Sequence, residues 1–213
     1  MLQTPPPVWL KLLPQPLRKK IEHKKHLIPI ISNSFWLILD KTARLAIGLF
    51  IGIWIARYLG PEQYGGLVYI LAYLAIFQVI TTLGMDNLIV RNIARDKEEA
   101  GKVLGTAFTL RVFSGFLCWI IAIGIMAVLN GWNNQTVWIT ALAGFTLIFQ
   151  AADTIDLWFQ SQSQSRRTVI AKLSAYIFSN GVRVALITLE APLIAFAAAI
   201  ALEAIAIAIG LIF

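Results

Sequence analysis

Six long apolar segments follow one another along the chain and are separated by short polar connections. Their approximate ranges are 30–58, 64–89, 103–129, 136–160, 168–189 and 191–213. Each segment reaches the roughly 20 residues with which a helix crosses about 30 Å of hydrocarbon. The alternating ten-residue pattern of barrel strands is not evident, so we expect helices to satisfy the backbone polar groups. The pattern predicts an all-α polytopic membrane protein with about six transmembrane helices.

Basic residues lie mainly on one side of these segments. Residues 1–29 hold six Lys and Arg, and five closely spaced prolines fall within residues 5–16, which predicts a basic cytoplasmic tail rather than a regular helix. The second connection holds four basic residues and the fourth holds three, whereas the opposite turns hold almost none. The positive-inside rule therefore places the N-terminus in the cytoplasm. No basic residue follows the last apolar segment, so we expect the six-helix lobe, residues 30–213, to be truncated at its C-terminus.

The composition agrees with a membrane protein and excludes several functions. Of the 213 residues, 58% are hydrophobic and 14% are charged, against roughly a quarter charged in soluble domains. The net charge of +7 is explained by the tail and the connections, so no nucleic-acid partner is predicted. Neither a phosphate-cradling glycine motif nor a Ser-His-Asp arrangement is present. We therefore predict no enzyme activity, no metal and no cofactor.

The first apolar segment carries three charges in what should be the inner half of the hydrocarbon: Asp40, Lys41 and Arg44. Asp40 and Arg44 are four residues apart and can pair on one helix face. In one interpretation Lys41 reaches the headgroups and the pair is structural. In the other, the charges line a polar cavity between helices. We favour the cavity, because Arg44 would lie on the order of 10 Å from the membrane edge.

Three further charges fall within later segments: Arg111, Arg183 and Glu203. Glu203 is near the middle of the sixth segment, and by depth Arg183 is its candidate partner. Inward-facing cations would suit a phosphate or pyrophosphate group, while the apolar surroundings would suit a lipid tail. The candidate substrate-binding cations are therefore Lys41, Arg44, Arg111 and Arg183. The candidates for an ion pair or a coupling role are Asp40 and Glu203.

One acidic pair favours a different class of protein. Asp153 and Asp156 form a D-x-x-D pair near the end of the fourth segment. Such pairs hold magnesium in enzymes that act on prenyl diphosphates, where carboxylates bridge the metal and the phosphate. Those enzymes generally need a second acidic cluster, and "DKEE" at residues 96–99 is more typical of a solvated loop. A membrane prenyl-diphosphate transferase is kept as an alternative.

Several motifs match one family of membrane proteins. The pattern of a first helix ending in A-R-x-L-G-P-E-x-[FY]-G is matched by "ARYLGPEQYG" at residues 56–65. A following helix that ends in L-G-x-[DS] before a basic stretch is matched from Leu83 to Arg95. Similar pieces occur at residues 104–117 and 156–173. On these motifs the chain resembles the polysaccharide-export flippases, which are the O-antigen and oligosaccharide translocases of the multidrug/oligosaccharidyl-lipid/polysaccharide exporter superfamily.

The resemblance runs from about residue 33 to the end and implies one lobe of a two-lobe exporter fold. It implies a flippase that translocates undecaprenyl-diphosphate-linked oligosaccharide across the bacterial inner membrane for cell-surface polysaccharide biosynthesis. The implied partners are lipid-linked oligosaccharide and membrane lipid. Family members have about twice as many spans, so the missing C-terminal lobe or a second copy would be required. Family members also carry charged cavity residues on their first helices, and Asp40, Lys41, Arg44 and Arg111 occupy comparable places by helix and depth.

Two further interpretations remain open. The chain could be a cation-coupled drug exporter of the same superfamily, which would make Asp40 or Glu203 essential and the arginines dispensable. It could also be an inactive half-transporter.

Overall fold

Helices make up nearly all of the structure. The computed structural model describes residues 27–82, 84–96, 98–162 and 164–212. These residues form seven α-helices and one short 3-10 turn, Gln150–Ala152, between α4 and α5. The helices are α1 (Leu27–Thr82), α2 (Asp86–Arg95), α3 (Ala100–Asn130), α4 (Gln135–Phe149), α5 (Asp153–Ser161), α6 (Ser165–Thr188) and α7 (Leu193–Ile212). The predicted tail lies outside the described residues except for residues 27–29, which already belong to α1.

The first two predicted spans correspond to α1, which is broken at Gly60. Gly60 has φ 75° and ψ 170°, a conformation that glycine adopts without a side-chain clash, and Pro61 then begins the second segment. Residues 61–82 reach roughly 33 Å, enough to cross the hydrocarbon core. Five helical stretches are long and apolar enough to span a membrane, and the first of them, Ser32–Arg95, contains this break. The predicted all-α fold with about six spans is thus confirmed.

The predicted end of the second span, at residue 89, was wrong. α1 already ends at Thr82, and Gly84 has φ 61°, so the chain turns there before α2 begins. α2 is amphipathic: Ile89 and Ile93 are buried and pack in one cluster with Leu157 of α5. The apolar residues that extended the predicted span thus belong to a separate short helix.

The core lies where α1, α3, α4 and α7 meet. The backbones of α3 and α4 approach closely at Gly115, where an added Cβ would lie 3.0 Å from the carbonyl carbon of Leu147. Small residues at helix contacts allow such close packing in membranes. Leu74, Met126 and Leu147 are almost completely buried in this cluster.

The outer surface is apolar. Large apolar side chains such as Leu45, Phe50, Phe113 and Val128 are exposed around the helices. A water-soluble monomer rarely exposes so much continuous apolar surface. This surface is the one that lipid would cover.

Candidate functional site

A cavity of about 610 Å³ opens between α1, α6 and α7, beside the 3-10 turn. Most of its wall is apolar, but six charged residues reach it from four different helices. They are Asp40, Arg44, Asp153, Lys172, Arg183 and Glu203. Such a mixture of apolar wall and a few convergent polar groups is typical of a ligand site.

One face of α6 supplies the polar wall of the cavity. Lys172, Tyr176, Asn180 and Arg183 all line it, at spacings of four, four and three residues. Residues at these spacings share one side of an α-helix. Of these four residues, only Arg183 was predicted from the sequence as a site residue. The signal that could have revealed the other three was the helical spacing of polar residues within an apolar segment.

Arg44 is held in place by two neighbours. Its Nε donates a hydrogen bond to Oδ1 of Asp40 at 2.9 Å, and its guanidinium carbon lies 4.8 Å from the centre of the Tyr176 ring. The Tyr176 hydroxyl donates to the Arg44 carbonyl at 3.1 Å. Gly48 makes room for this contact, because an added Cβ would lie 2.8 Å from the tyrosine oxygen. Nη2 of Arg44 is buried and has no hydrogen-bond partner among the described residues.

A second ion pair joins α6 to α7. Nη2 of Arg183 donates to Oε2 of Glu203 at 2.6 Å, so the structure brings together the two residues that were matched by depth in the sequence. Ser179 donates to the same carboxylate oxygen at 3.3 Å, and Asn180 accepts from Nη1 of Arg183 at 3.2 Å. The carboxylate in the middle of α7 thus has charged and neutral partners.

The D-x-x-D pair surrounds a lysine. Nζ of Lys172 lies 2.7 Å from Oδ1 of Asp153 and 2.7 Å from Oδ2 of Asp156. Gln160 also donates to Oδ2 of Asp156 at 3.1 Å. An ammonium group of the same chain therefore takes the place between the two carboxylates where a bridging cation would sit. Within the described residues, no three His, Cys, Asp or Glu side chains gather into a group that could hold a metal ion.

Two of the predicted cavity cations lie elsewhere. Lys41 is exposed and does not line the cavity. Arg111 is 2% exposed, and its Nη2 donates to Oδ1 of Asp86 at the start of α2. The sequence prediction differs here because it treated Asp86 as part of a span. The turn at Gly84 instead brings that carboxylate to α3.

The charges that line the cavity balance one another. Among the described lining residues there are three basic and three acidic side chains, and each basic group has a carboxylate partner within 3 Å. The cations that line the cavity are therefore accompanied by an equal number of acids, whereas the sequence predicted a cationic cavity. An anionic ligand would have to compete with these carboxylates or use the free Nη2 of Arg44.

A bundle of apolar helices with about six spans and a charged interior is a multi-pass membrane protein. The sequence profile described as polysaccharide biosynthesis protein matches residues 30–213. This range covers most of the chain, and the chain belongs to that family. Comparison with curated proteins and with solved structures found no significant match.

Proposed function

We propose that this protein is a flippase that moves lipid-linked oligosaccharide across the bacterial inner membrane for polysaccharide biosynthesis. The substrate class we propose is a sugar chain on undecaprenyl diphosphate, which enters from the cytoplasmic side; we place the N-terminus on that side as well. The protein would bind and release the headgroup without breaking a bond, so it would not be an enzyme. The need for a second lobe or a second copy stays a prediction.

The observation that carries this proposal is the free donor of Arg44. A buried guanidinium nitrogen without a partner is costly, because its desolvation is not compensated by a hydrogen bond. Nη2 of Arg44 meets this description and belongs to a residue that lines the cavity. Arginine suits phosphate oxygens because its planar donors match their geometry. A diphosphate in the cavity would satisfy this nitrogen.

The surrounding charges support reversible binding. Carboxylates beside Arg44, Lys172 and Arg183 would keep the basic groups satisfied between transport cycles. A diphosphate would replace the carboxylates as the partner of the basic groups. Its binding energy would therefore be the difference between the ion pairs it forms and the ion pairs it breaks. Such a small difference allows the headgroup to be released once the cavity opens, while the lipid tail stays in the bilayer.

The acids favour a second candidate, a cation-coupled exporter of the same superfamily. Asp40 and Glu203 both line the cavity, and a transported or coupling cation would bind there. In that case the arginines would be replaceable and the acids would not. The following experiment separates the two.

We expect Arg44→Gln to weaken binding of a short-chain prenyl-diphosphate oligosaccharide about tenfold or more. The physical reason is the loss of a charge-assisted hydrogen bond, about 1.5–3 kcal/mol. Binding is measured by calorimetry on the purified 213-residue chain in detergent. Lys41→Gln is the matched control, because Lys41 lies three residues away on the same helix and outside the cavity.

The control variant should bind as the parent does. A double variant, Asp40→Asn with Arg44→Gln, excludes the trivial effect of leaving Asp40 without its partner, and it should bind as weakly as the single variant. Equal affinity of Arg44→Gln and the parent for the oligosaccharide would contradict the proposal. If Asp40→Asn alone abolished binding of a cationic drug, the exporter would be favoured.

A further inference from the structure

Uncharged polar side chains line one end of the charged cavity. Lys172, which lies two turns into α6, pairs there with Asp153, directly after the 3-10 turn. Gln150 begins that turn and lines the cavity, as does Gln78 from the second segment of α1. Neither amide belongs to the ion pairs of the cavity. The two glutamines therefore add neutral hydrogen-bonding groups beside the charges.

The 3-10 turn directs two of these side chains to the same side. A 3-10 helix has three residues per turn, so side chains three positions apart lie one above the other. Gln150 begins the turn and Asp153 follows it, and both line the cavity. In a continuous α-helix their directions would differ by about 60°. The local departure from the α-helix thus places an amide and a carboxylate side by side in the cavity wall.

Thr81 orients the amide of Gln150. The buried hydroxyl of Thr81 donates to Oε1 of Gln150 at 2.8 Å. The amide oxygen is thus engaged, and the Nε2 group of Gln150 carries two N–H donors. Thr81 lies three residues after Gln78 on α1, so the same contact brings Gln78 toward the 3-10 turn. This end of the cavity therefore combines amide donors with a carboxylate acceptor.

The ligand chemistry that fits these groups is that of a sugar. An ionised carboxylate can accept about four hydrogen bonds, and Asp153, although paired with Lys172, keeps a side chain that is 39% exposed. Adjacent hydroxyl groups of a pyranose can donate to a carboxylate and accept from amides. The ring of Phe149 lines the same part of the wall and offers an apolar surface to the C–H groups of a sugar. A metal cation fits less well, because the Lys172 ammonium already lies beside the carboxylate.

The spacing along α6 matches a sugar attached to a diphosphate. Lys172 and Tyr176 are four residues apart, which is about 6 Å along the helix axis. Arg44 packs on the Tyr176 ring, and its free Nη2 is the group that we assigned to the diphosphate. The carboxylate of Asp153 thus lies about one helical turn from the diphosphate position. The first sugar on that diphosphate would lie there.

We propose that Gln78, Gln150 and Asp153 form the subsite for the first sugar of the lipid-linked chain. This subsite rests on the proposed function, because a diphosphate on Arg44 positions the sugar. The two amides donate to hydroxyl oxygens of the ring, and the carboxylate accepts from neighbouring hydroxyls. The subsite selects by the number and direction of these hydroxyls, whereas Arg44 binds any prenyl diphosphate.

Calorimetry on the purified 213-residue chain in detergent, with sugar-free and sugar-linked ligands, tests the subsite. Farnesyl diphosphate is compared with the same lipid carrying one glucose, galactose or N-acetylglucosamine. We expect at least one of the three sugar-linked lipids to bind about tenfold more tightly than farnesyl diphosphate, because additional hydrogen bonds form. Arg44→Gln should weaken binding of both kinds of ligand by the same factor and leave this ratio unchanged.

Two single variants locate the sugar. Gln150→Leu and Gln78→Leu should each reduce the ratio to about threefold or less, and affinity for farnesyl diphosphate should stay that of the parent. Gln150→Leu leaves the Thr81 hydroxyl with an acceptor, since it also lies 2.9 Å from the carbonyl oxygen of Gln78. If one variant does not fold, the other serves. Gln135→Leu is the matched control, because Gln135 is an exposed glutamine at the start of α4, outside the cavity.

The outcomes distinguish the subsite from the transport function. Equal affinity of the parent for all four lipids would overturn the subsite and leave the proposed function standing. A ratio that survives in both glutamine variants would also overturn it. If none of the four lipids bound to the folded parent, the proposed function and the subsite would fail together.

Discussion

Replacing Lys172 with methionine is expected to lower the free energy of unfolding by about 3 kcal/mol. Removing one partner of a buried ion pair leaves an uncompensated charge, which typically costs about 3–5 kcal/mol. Lys172 is the shared partner of two carboxylates, and Asp156 is only 7% exposed. We choose the lower end of that range because the side chain of Asp153 is 39% exposed, against 10% for the side chain of Asp156, so water reaches one of the two acids.

The measurement is reversible unfolding of the purified chain in mixed micelles. Lys41→Met is the matched control, since Lys41 is an exposed lysine in an apolar segment, and its effect should stay within about 0.5 kcal/mol. The triple variant Lys172→Met, Asp153→Asn, Asp156→Asn should recover most of the loss, because no charge is then left without a partner. If Lys172→Met were as stable as Lys41→Met, the lysine would not hold α5 and α6 together.

The second large effect is expected at the pair of Arg183 and Glu203. Arg183→Met should destabilise the protein by about 3 kcal/mol for the same reason, because it leaves the carboxylate in the middle of α7 with only a serine as partner. Arg183→Met with Glu203→Met removes both charges, and stability should return to within about 1 kcal/mol of the parent. Unfolding of the three proteins in micelles measures both effects.

The double variant also separates structure from transport. If Arg183 binds substrate, the recovered stability should come without recovered activity, and translocation should stay about tenfold or more below that of the parent. A double variant that is stable and fully active would show that the pair serves packing alone. A double variant that stays as unstable as Arg183→Met would contradict the expected compensation.

Much of the fold could be predicted from the sequence because membrane spans have a strong signal. Long apolar segments have few alternatives in a bilayer, and the break at "LGPE" follows from a glycine and a proline at Gly60 and Pro61. The turn at Gly84 was harder, since an apolar stretch continues on both sides of it. Likewise "QAA", at Gln150–Ala152, carries no strong helix breaker, yet the helix tightens there into a 3-10 turn.

The candidate site was only partly predictable. The pair of Asp40 and Arg44 follows from a spacing of four residues, a local rule of helices. The pairing of Arg183 with Glu203 could be proposed because both residues lie at a similar predicted depth in the membrane. In contrast, the contact of Arg111 with Asp86 and that of Lys172 with Asp156 depend on how one helix folds back on the next. No rule of spacing contains that information.

The most direct test of the proposed function is translocation of a fluorescent undecaprenyl-diphosphate oligosaccharide in proteoliposomes that contain only this 213-residue chain. A reagent that quenches only the outer leaflet reports how much lipid has crossed. The proposed function predicts that the parent and Lys41→Gln move the lipid between leaflets. It predicts that Arg44→Gln moves the lipid at least about tenfold more slowly. Equal translocation by folded Arg44→Gln and the parent would contradict it. A folded parent that moves no more lipid than protein-free vesicles would contradict transport by this chain alone and would show that a second lobe is needed.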